Sequence, residues 1–435
     1  MWTRREFFGA GGLGVAAAAG VLSSGGGSPV QAGTAYEESL ERKAALPQLR
    51  QRMLGYPINL NSPPEEFLAW REQLRRVGIG EIAYNNVGDP FRESPLPFNT
   101  HDLELKAMLR LAPLYGLPPD DAWGFLSHSG TDSNMHGMYL GRTILRGRTG
   151  QLPKAYFTRE AHYSVQILVD LLGLEAVDVA TLPDGGMDAD DLERQLVQNG
   201  ETPALVVPTV GTTFRGAIDD LDMIQSRLAG RQAFVHLDAA LFGGYLAHTE
   251  HRGAVAFGGG PAGGLRRYDS IAVSCHKFFG FPAPAGIFLT LQRHFDEFLE
   301  YFSGIHNPAY IHQVPGTITC SRDAVKPAEF CYYTSPEARV RQKSDARAML
   351  ENAEFLHRRL AEDFPDLRAQ RANALSNTVF FRCPPAERLR KYSLATMDVT
   401  ADGRLEKLAH VVVMPHVTQE ALEDFLADLK RVNAA

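Results

Sequence analysis

The feature that most constrains the fold is a regular alternation of helical patterns with short apolar runs rich in β-branched residues, beginning near residue 100. Helical periodicity covers His101–Tyr115, 131–147 and 162–172. Strands that look buried and alternate with helices indicate crossover connections, and so predict an α/β domain with a mainly parallel sheet. The predicted strands are Ala155–Phe157, Ala176–Val179, Leu205–Val210, Ala233–Asp238, Ser270–Ser274 and Gly286–Leu291.

The pattern changes after about residue 335. A long helix is predicted over 337–362, followed by strand-like runs at Asn377–Cys383 and His410–Met414 and by a closing helix over 418–432. This order predicts a smaller α+β domain. The predicted segments of the whole chain are a signal peptide (1–32), an N-terminal helical segment (33–99), a large domain (100–335) and a small C-terminal domain (336–435).

A lysine follows one of the predicted strands, at the edge of the sheet where ligands of such folds bind. The strand Ser270–Ser274 leads into a loop that holds Lys277, flanked by small and aromatic residues. A desolvated lysine at such a point has a lowered pKa, which frees its amine to form a Schiff base. The alternative is a solvated surface lysine, which is the common outcome for lysines after strands.

An aspartate ends another predicted strand, Ala233–Asp238, and two alanines follow it. A buried carboxylate is costly unless it is paired. A protonated pyridine nitrogen is a suitable partner, and an aspartate paired to that nitrogen is part of the usual pyridoxal phosphate site. The alternative is a structural aspartate that caps a turn or a helix.

Two predicted helices begin with residues suited to a cofactor. Ser129, Gly130 and Thr131 open the helix 131–147, where backbone N–H groups and hydroxyls could hold a phosphate or simply form an N-cap. His162 opens the next helix, where its flat ring could stack on a cofactor or serve as an ordinary capping or core residue. The order of phosphate loop, stacking ring, aspartate and lysine along the chain favours the cofactor interpretation.

This set, and the stretches around it, resemble the pyridoxal-phosphate-dependent group II amino-acid decarboxylases, and most closely the bacterial histidine decarboxylases of the pyridoxal type. The resemblance runs from about Tyr84 to Phe425. The matching stretches are YNNVGDPF (84–91), SGTDSNMHGMYLGR (129–142), HYSV (162–165), GTTFRGAIDD (211–220), HLDAALFGGYL (236–246), DSIAVSCHKFFGFPAPAGI (269–287), TITCSRD (317–323) and AHVVVMPHVTQEALEDF (409–425).

The resemblance implies a role for each candidate residue. Lys277 would form the Schiff base, Asp238 would pair with the ring nitrogen, and His162 and Ala240 would cover the two ring faces. Tyr310 would protonate the substrate carbon after carbon dioxide leaves. The remaining implied contacts are Ser129, Gly130, Thr131, Ser274 and His276 to the phosphate and Thr212 near the ring hydroxyl.

The family also implies a fold and an assembly. We expect fold type I, the aspartate aminotransferase-like fold, with a large mainly parallel sheet of the seven-stranded type and a small C-terminal α+β domain. We expect a homodimer with its site at the subunit interface. The implied reaction is α-decarboxylation of an L-amino acid, with histidine as the leading substrate and histamine as its product.

Some departures from the family pattern leave the substrate open. Asp132 and Ser133 stand where the family commonly has Glu and Gly, and 320–325 differs from its usual Gly-Ser-Arg-Asn-Gly-His. The alternatives are an aromatic, serine or aliphatic amino acid as substrate, or a decarboxylating deamination. A non-catalytic exported protein that binds cofactor or amine is a further alternative, which the intact set of Lys277, Asp238 and His162 disfavours.

The N-terminus carries Arg4 and Arg5 within TRREFF, followed by an apolar run over 13–22 and by small residues that predict cleavage after Ala32. The alternative is a disordered or helical tail. A twin-arginine signal implies that the folded protein engages the twin-arginine export machinery and becomes periplasmic or secreted. Because members of this family are mostly cytoplasmic, such a signal is unusual among them.

Composition disfavours several other classes. The net charge is −7, and the chain has neither a basic block nor a run of 18 apolar residues, so we expect no nucleic-acid partner and no stable membrane insertion after cleavage. The four cysteines show no CxxC spacing, so we expect no metal site, although one disulfide remains possible. The cysteines are Cys275, Cys320, Cys331 and Cys383.

Overall fold

A computed structural model describes residues 29–258, 266–305, 309, 314–401 and 404–431. Its helices are α1 (Pro29–Ala44), α2 (Glu65–Arg76), α3 (His101–Leu111), α4 (Gly130–Thr149), α5 (Tyr163–Leu171), α6 (Ala189–Gln198), α7 (Leu221–Arg227), α8 (Phe242–Leu246), α9 (Gln292–Phe302), α10 (Val325–Phe330), α11 (Pro336–Asp363), α12 (Ala386–Lys391) and α13 (Gln419–Lys430). Its strands are β1 (Ala122–Ser127), β2 (Lys154–Phe157), β3 (Glu175–Asp178), β4 (Ala204–Val206), β5 (Ala233–Asp238), β6 (Ser270–Ser274), β7 (Gly286–Leu291), β8 (Thr378–Arg382), β9 (Ala395–Ala401) and β10 (Arg404–Val412).

The larger sheet has seven strands in the order β1-β7-β6-β5-β4-β2-β3. The pairs from β3 to β6 are parallel, and β7 runs antiparallel to both β6 and β1. The prediction of a mainly parallel sheet is confirmed. The predicted strand Leu205–Val210 is shorter in the structure, and β1 was not predicted.

The second sheet is antiparallel, in the order β8-β10-β9, and α11 and α13 pack with it in the C-terminal part of the chain. The predicted α+β architecture of this part is confirmed, with β9 as an additional strand. The N-terminal segment joins this sheet, because Val412 N donates to Leu54 O at 2.7 Å and Leu54 N donates to Tyr392 O at 3.1 Å. The limits of the four predicted segments stay predictions.

Helix α4 lies directly on β5, and glycines make this close approach possible. A Cβ at Gly137 would lie 2.0 Å from His236 Nδ1, and a Cβ at Gly141 would lie 2.5 Å from Phe234 Cδ1. Ser129 caps the start of α4 by accepting from Asp132 N at 3.2 Å, and Gly150 ends the helix with φ 73°. This packing brings the start of α4 to the carboxyl ends of the central strands.

The signal-peptide prediction falls mostly outside the described residues, since the structure begins within α1 at Pro29. Within the described ranges, every helix is too short or too polar to cross a membrane. All four cysteines are free.

Candidate active site

Asp238 is the last residue of β5, and its carboxylate is buried, with 2% of the residue exposed. Its Oδ2 accepts from Asn134 Nδ2 at 3.0 Å, and its Oδ1 accepts from Ala240 N at 3.1 Å. Across the described ranges, no lysine, arginine or histidine forms an ion pair with it. The carboxylate is therefore hydrogen-bonded by neutral donors and not by an ion-pair partner.

Lys277 lies three residues beyond β6, in a loop that stays close to the end of β5. Ser274 N donates to Ala240 O at 3.0 Å, so the chains beyond the two strands remain paired. The loop is also held from the N-terminal segment, because Asn59 N donates to Lys277 O at 3.2 Å. Burial lowers the pKa of Lys277, and the charge of Asp238 opposes that effect. The lowered pKa favours the free amine, which is the nucleophilic form.

His162 is the N-cap of α5, and its Nδ1 accepts from Ser164 N at 3.3 Å. Its pKa is lowered by burial and by the charge of Lys277, while Asp238 raises it. The neutral ring is therefore favoured, and because Nδ1 accepts a hydrogen bond, the proton is on Nε2. Both Lys277 and Asp238 are near enough to act on this ring, so the structure brings the three predicted residues into one site.

The predicted phosphate loop meets the ends of β5 and β6. A Cβ placed on Gly130 would lie 2.3 Å from Ser274 Oγ and 3.9 Å from the Cβ of Ala240, so a larger residue at this junction would displace the Ser274 hydroxyl. Thr131 is exposed in the first turn of α4. His276 Nδ1 is buried and has no hydrogen-bond partner in the part of the chain that the structure describes. Burial lowers the pKa of His276, with a further contribution from Lys277.

Two further predicted residues have different outcomes. Thr212 is buried, and its Oγ1 accepts from Ala217 N at 2.9 Å in the turn that follows β4. The same segment is bonded to the end of β5, where Val210 N donates to Asp238 O at 2.9 Å. Tyr310 lies outside the described residues, so its predicted role has no structural description.

The structure adds three residues to which we assigned no role from the sequence. His236 and Asn134 are hydrogen-bonded to each other, and Asn134 is also the residue that donates to Asp238. His136 Nε2 accepts a hydrogen bond from Ile318 N at 2.8 Å, which links the segment after residue 314 to α4. A signal for His236 was present, because residues two apart in a strand point to the same face. Asn134 and His136 could be found only from the packing of α4.

Comparisons with known proteins agree with this geometry. Residues 91–295 match the pyridoxal-dependent decarboxylase conserved domain. The chain is 30% identical to the histidine decarboxylase of Solanum lycopersicum over 404 residues, which are 91% of this chain and 87% of that protein. It is 32% identical to the histidine decarboxylase of Pseudomonas entomophila (86% and 85% covered) and 32% identical to serine decarboxylase 1 of Oryza sativa subsp. japonica (92% and 78% covered).

Solved structures share the fold. The L-methionine decarboxylase of a Streptomyces species superposes with a TM-score of 0.76 at 24% identity, covering 94% of this chain and 96% of that one. A sphingosine-1-phosphate lyase of Burkholderia pseudomallei does so with a TM-score of 0.72 at 17% identity, covering 95% and 93%. The predicted fold class, enzyme class and cofactor are confirmed. The chain belongs to the pyridoxal-dependent decarboxylases, as a pyridoxal-phosphate-dependent amino-acid decarboxylase of fold type I.

Proposed function

We propose that the protein converts L-histidine to histamine and carbon dioxide. The observation that carries this proposal is the similarity, at 30–32% identity, to proteins named histidine decarboxylase from a plant and from bacteria, over 80% or more of this chain. A second candidate is L-serine, because three proteins of Oryza sativa named serine decarboxylase match at 30–32% identity.

The residues present fit pyridoxal phosphate. The buried Asp238 lacks a cationic partner among the described residues and suits a protonated ring nitrogen, and the unpaired His276 Nδ1 suits a phosphate oxygen. When bound, the cofactor supplies an electron-accepting ring that stabilises the charge left on the substrate carbon. Lys277 would hold it through its amine, and Thr212 would lie near its hydroxyl. The residues that would hold its phosphate are Ser129, Gly130, Thr131, Ser274 and His276.

The remaining residues orient the reactants. His162 and Ala240 would cover the two faces of the cofactor ring, and the proton on His162 Nε2 leaves that nitrogen able to donate to a carboxylate. Tyr310 is our proposed proton donor to the substrate carbon after carbon dioxide leaves. We also propose that two copies of the chain form a homodimer with the site at their interface.

The substrate is tested by offering each common amino acid separately to the purified, cofactor-loaded protein. Carbon dioxide, amine and aldehyde are all quantified, since aldehyde would reveal a decarboxylating deamination. We expect histamine from L-histidine at the highest kcat/KM. Ethanolamine formed from serine at a higher kcat/KM would replace the first proposal with the second.

Cofactor attachment is tested in Lys277→Ala, with Lys154→Ala as the matched control. Lys154 is the first residue of β2 and so lies at the amino ends of the parallel strands, opposite the carboxyl ends where the site is. Its Nζ donates a hydrogen bond to Glu175 at 2.6 Å. The visible absorbance of the bound cofactor should be lost only in Lys277→Ala. Retention of that band in Lys277→Ala would contradict the assignment of Lys277.

We further propose that the twin-arginine segment exports the protein already folded and loaded, to the periplasm or beyond. The motivation is that Lys277, Asp238 and His162 come together only in the folded chain. Replacing Arg4 and Arg5 by lysine should retain enzyme activity in the cytoplasm. Unchanged export of the double variant would refute the proposal.

A further inference from the structure

A continuous chain of hydrogen bonds links three buried side chains to the carboxylate of Asp238. Ser270 Oγ lies 2.8 Å from His236 Nδ1, and His236 Nε2 lies 3.0 Å from Asn134 Oδ1. Asn134 Nδ2 in turn lies 3.0 Å from Asp238 Oδ2. All four residues are at most 2% exposed, so water does not compete for these contacts. The chain joins β6, β5 and α4 to one carboxylate.

The chemistry of the groups decides the direction of every bond. A carboxylate only accepts, so the Asn134 amide must turn its NH₂ group to Asp238 and its oxygen to His236. His236 Nε2 must then carry a proton. Burial lowers the pKa of His236 to about 4, so the ring is neutral and Nδ1 accepts from the Ser270 hydroxyl. Each member therefore donates toward Asp238.

We propose that Asn134 and His236 are positioning residues that hold the Asp238 carboxylate aimed at the cofactor ring nitrogen, with Ser270 fixing the histidine tautomer. This inference rests on the proposed pairing of Asp238 with that nitrogen. A donor aimed at a carboxylate stabilises its charged form, and a chain of aligned donors polarises the last bond further. A carboxylate held in this way would pair with the ring nitrogen in its protonated state, in which the ring accepts electrons.

The histidine ring is packed directly against helix α4. Gly137 of α4 lies against it so closely that a Cβ would come within 2.0 Å of Nδ1 and 2.2 Å of Cε1. On its own strand, His236 and Asp238 are two residues apart and share a face of the sheet. The polar chain is thus built on rigid elements, as a positioning device must be.

A matched pair of variants separates hydrogen bonding from packing. His236→Gln keeps an amide donor for Asn134, whereas His236→Phe keeps a ring but no donor. We expect the dissociation constant of pyridoxal phosphate from the folded protein to rise about ten- to a hundred-fold in His236→Phe and only a few-fold in His236→Gln, because without a donor at position 236 the Asn134 amide loses the bond that orients its NH₂ group toward Asp238. A packing role alone would give the reverse order and would overturn the proposal.

Asn134 is tested by Asn134→Leu, with Thr143→Val as its control on the same helix. The Thr143 hydroxyl is buried and has no hydrogen-bond partner in the described ranges, so its removal should leave cofactor affinity unchanged. Asn134→Leu should weaken affinity as His236→Phe does, and the double variant should be no weaker than either single variant. Additive losses would show that the two residues act separately.

A measurement on the wild-type protein without cofactor tests the tautomer directly and needs a variant only to assign the signal. Nitrogen-15 NMR of histidine-labelled protein should show a protonated Nε2 and an unprotonated Nδ1 for His236, assigned by its loss in His236→Gln. The opposite tautomer would overturn the proposal. Failure of the proposed function looks different, because histamine would then not form from L-histidine while the tautomer of His236 and the effects of its variants on cofactor affinity stayed as described.

Discussion

Two regions of the molecule each contain a buried aspartate: the carboxyl end of the seven-stranded sheet and the contact between α12 and α13. The hydrogen-bond partners of the two aspartates differ. Asp428 of α13 is bonded by the ammonium of Lys391, by Tyr392 OH at 2.8 Å and by Arg431 Nη1 at 3.2 Å. Asp238 is bonded by an amide and a backbone N–H. The two residues are 5% and 2% exposed, so burial alone does not distinguish them.

The difference shows how a structural carboxylate can be told from a functional one. Burial would raise the pKa of Asp428, but hydrogen bonds from Lys391 and Tyr392 outweigh it and the pKa is lowered. Its charge is balanced within the fold. Asp238 forms no ion pair among the described residues, so a cationic ligand that pairs with it can offset the cost of its burial.

The largest effect is expected for Asp238→Asn. The amide cannot hold a protonated ring nitrogen, so kcat should fall at least about a hundred-fold. The melting temperature of the cofactor-free protein should stay the same or rise, because an unbalanced buried charge is removed. Activity assays and calorimetry on the same preparation test both parts. A marked loss of stability in the cofactor-free variant would erase the contrast with Asp428.

A second prediction compares the two regions through their buried histidines. His416 accepts from Leu60 N and faces Met53 O, and burial lowers its pKa to about 4, as for His236. The folded pKa lies below the unfolded value of about 6.5, so stability is full above pH 6.5 and is lost as pH falls toward 4. Each group contributes about 1.4 kcal/mol per pH unit in that window.

The free energy of unfolding of the cofactor-free protein, from urea titrations at pH 7 and pH 5, tests this sign. Wild type should lose about 2 kcal/mol more than His416→Gln between the two pH values. His294→Gln offers a second reading, because burial lowers the pKa of His294 to about 3. Equal slopes in wild type and both variants would mean that these rings do not stay neutral in the fold.

The strands differ in how well the sequence predicts them. The bounds of β5, β6 and β7 were predicted to the residue because these strands are short, mainly apolar runs rich in β-branched and aromatic residues. β1 was missed because Gly124 interrupts its pattern, although a Cβ there would lie 2.2 Å from Phe288 O and glycine is required by the packing. β9 was missed although its apolar and polar residues alternate as in a half-buried strand.

Site residues follow the same rule. Lys277 follows a predicted strand, Asp238 ends one and His162 begins a predicted helix, so the bounds of the predicted elements located them. The bond between Asn134 and His236 joins residues 102 positions apart and depends on how α4 packs on β5. Local sequence patterns carry no information about such a pair. They also do not predict that Asp428 pairs with Lys391 of α12 and with Arg431 at the end of its own helix.

A smaller effect is expected for Asp428→Asn, which tests the structural side of the comparison. Its amide keeps one contact but leaves Lys391 and Arg431 without a counter-charge. Because both of those side chains are partly exposed, we expect the loss in unfolding free energy to be about 1–2 kcal/mol, with kcat unchanged. A fall in kcat at full stability would move Asp428 into the functional class.

The smallest effect is expected for Thr212→Val, a residue with features of both regions. Its hydroxyl accepts from Ala217 N within a turn, as a structural group does, yet its own proton stays available near the end of β5. The variant should lose about 1 kcal/mol of unfolding free energy, and its affinity for pyridoxal phosphate should fall only a few-fold. Thr212→Ser, which keeps the hydroxyl, should restore both. If Thr212→Val instead kept full stability and lost most of its cofactor affinity, the hydrogen bond from Ala217 N would contribute nothing to folding. Thr212 would then be a cofactor-binding residue and not a structural one.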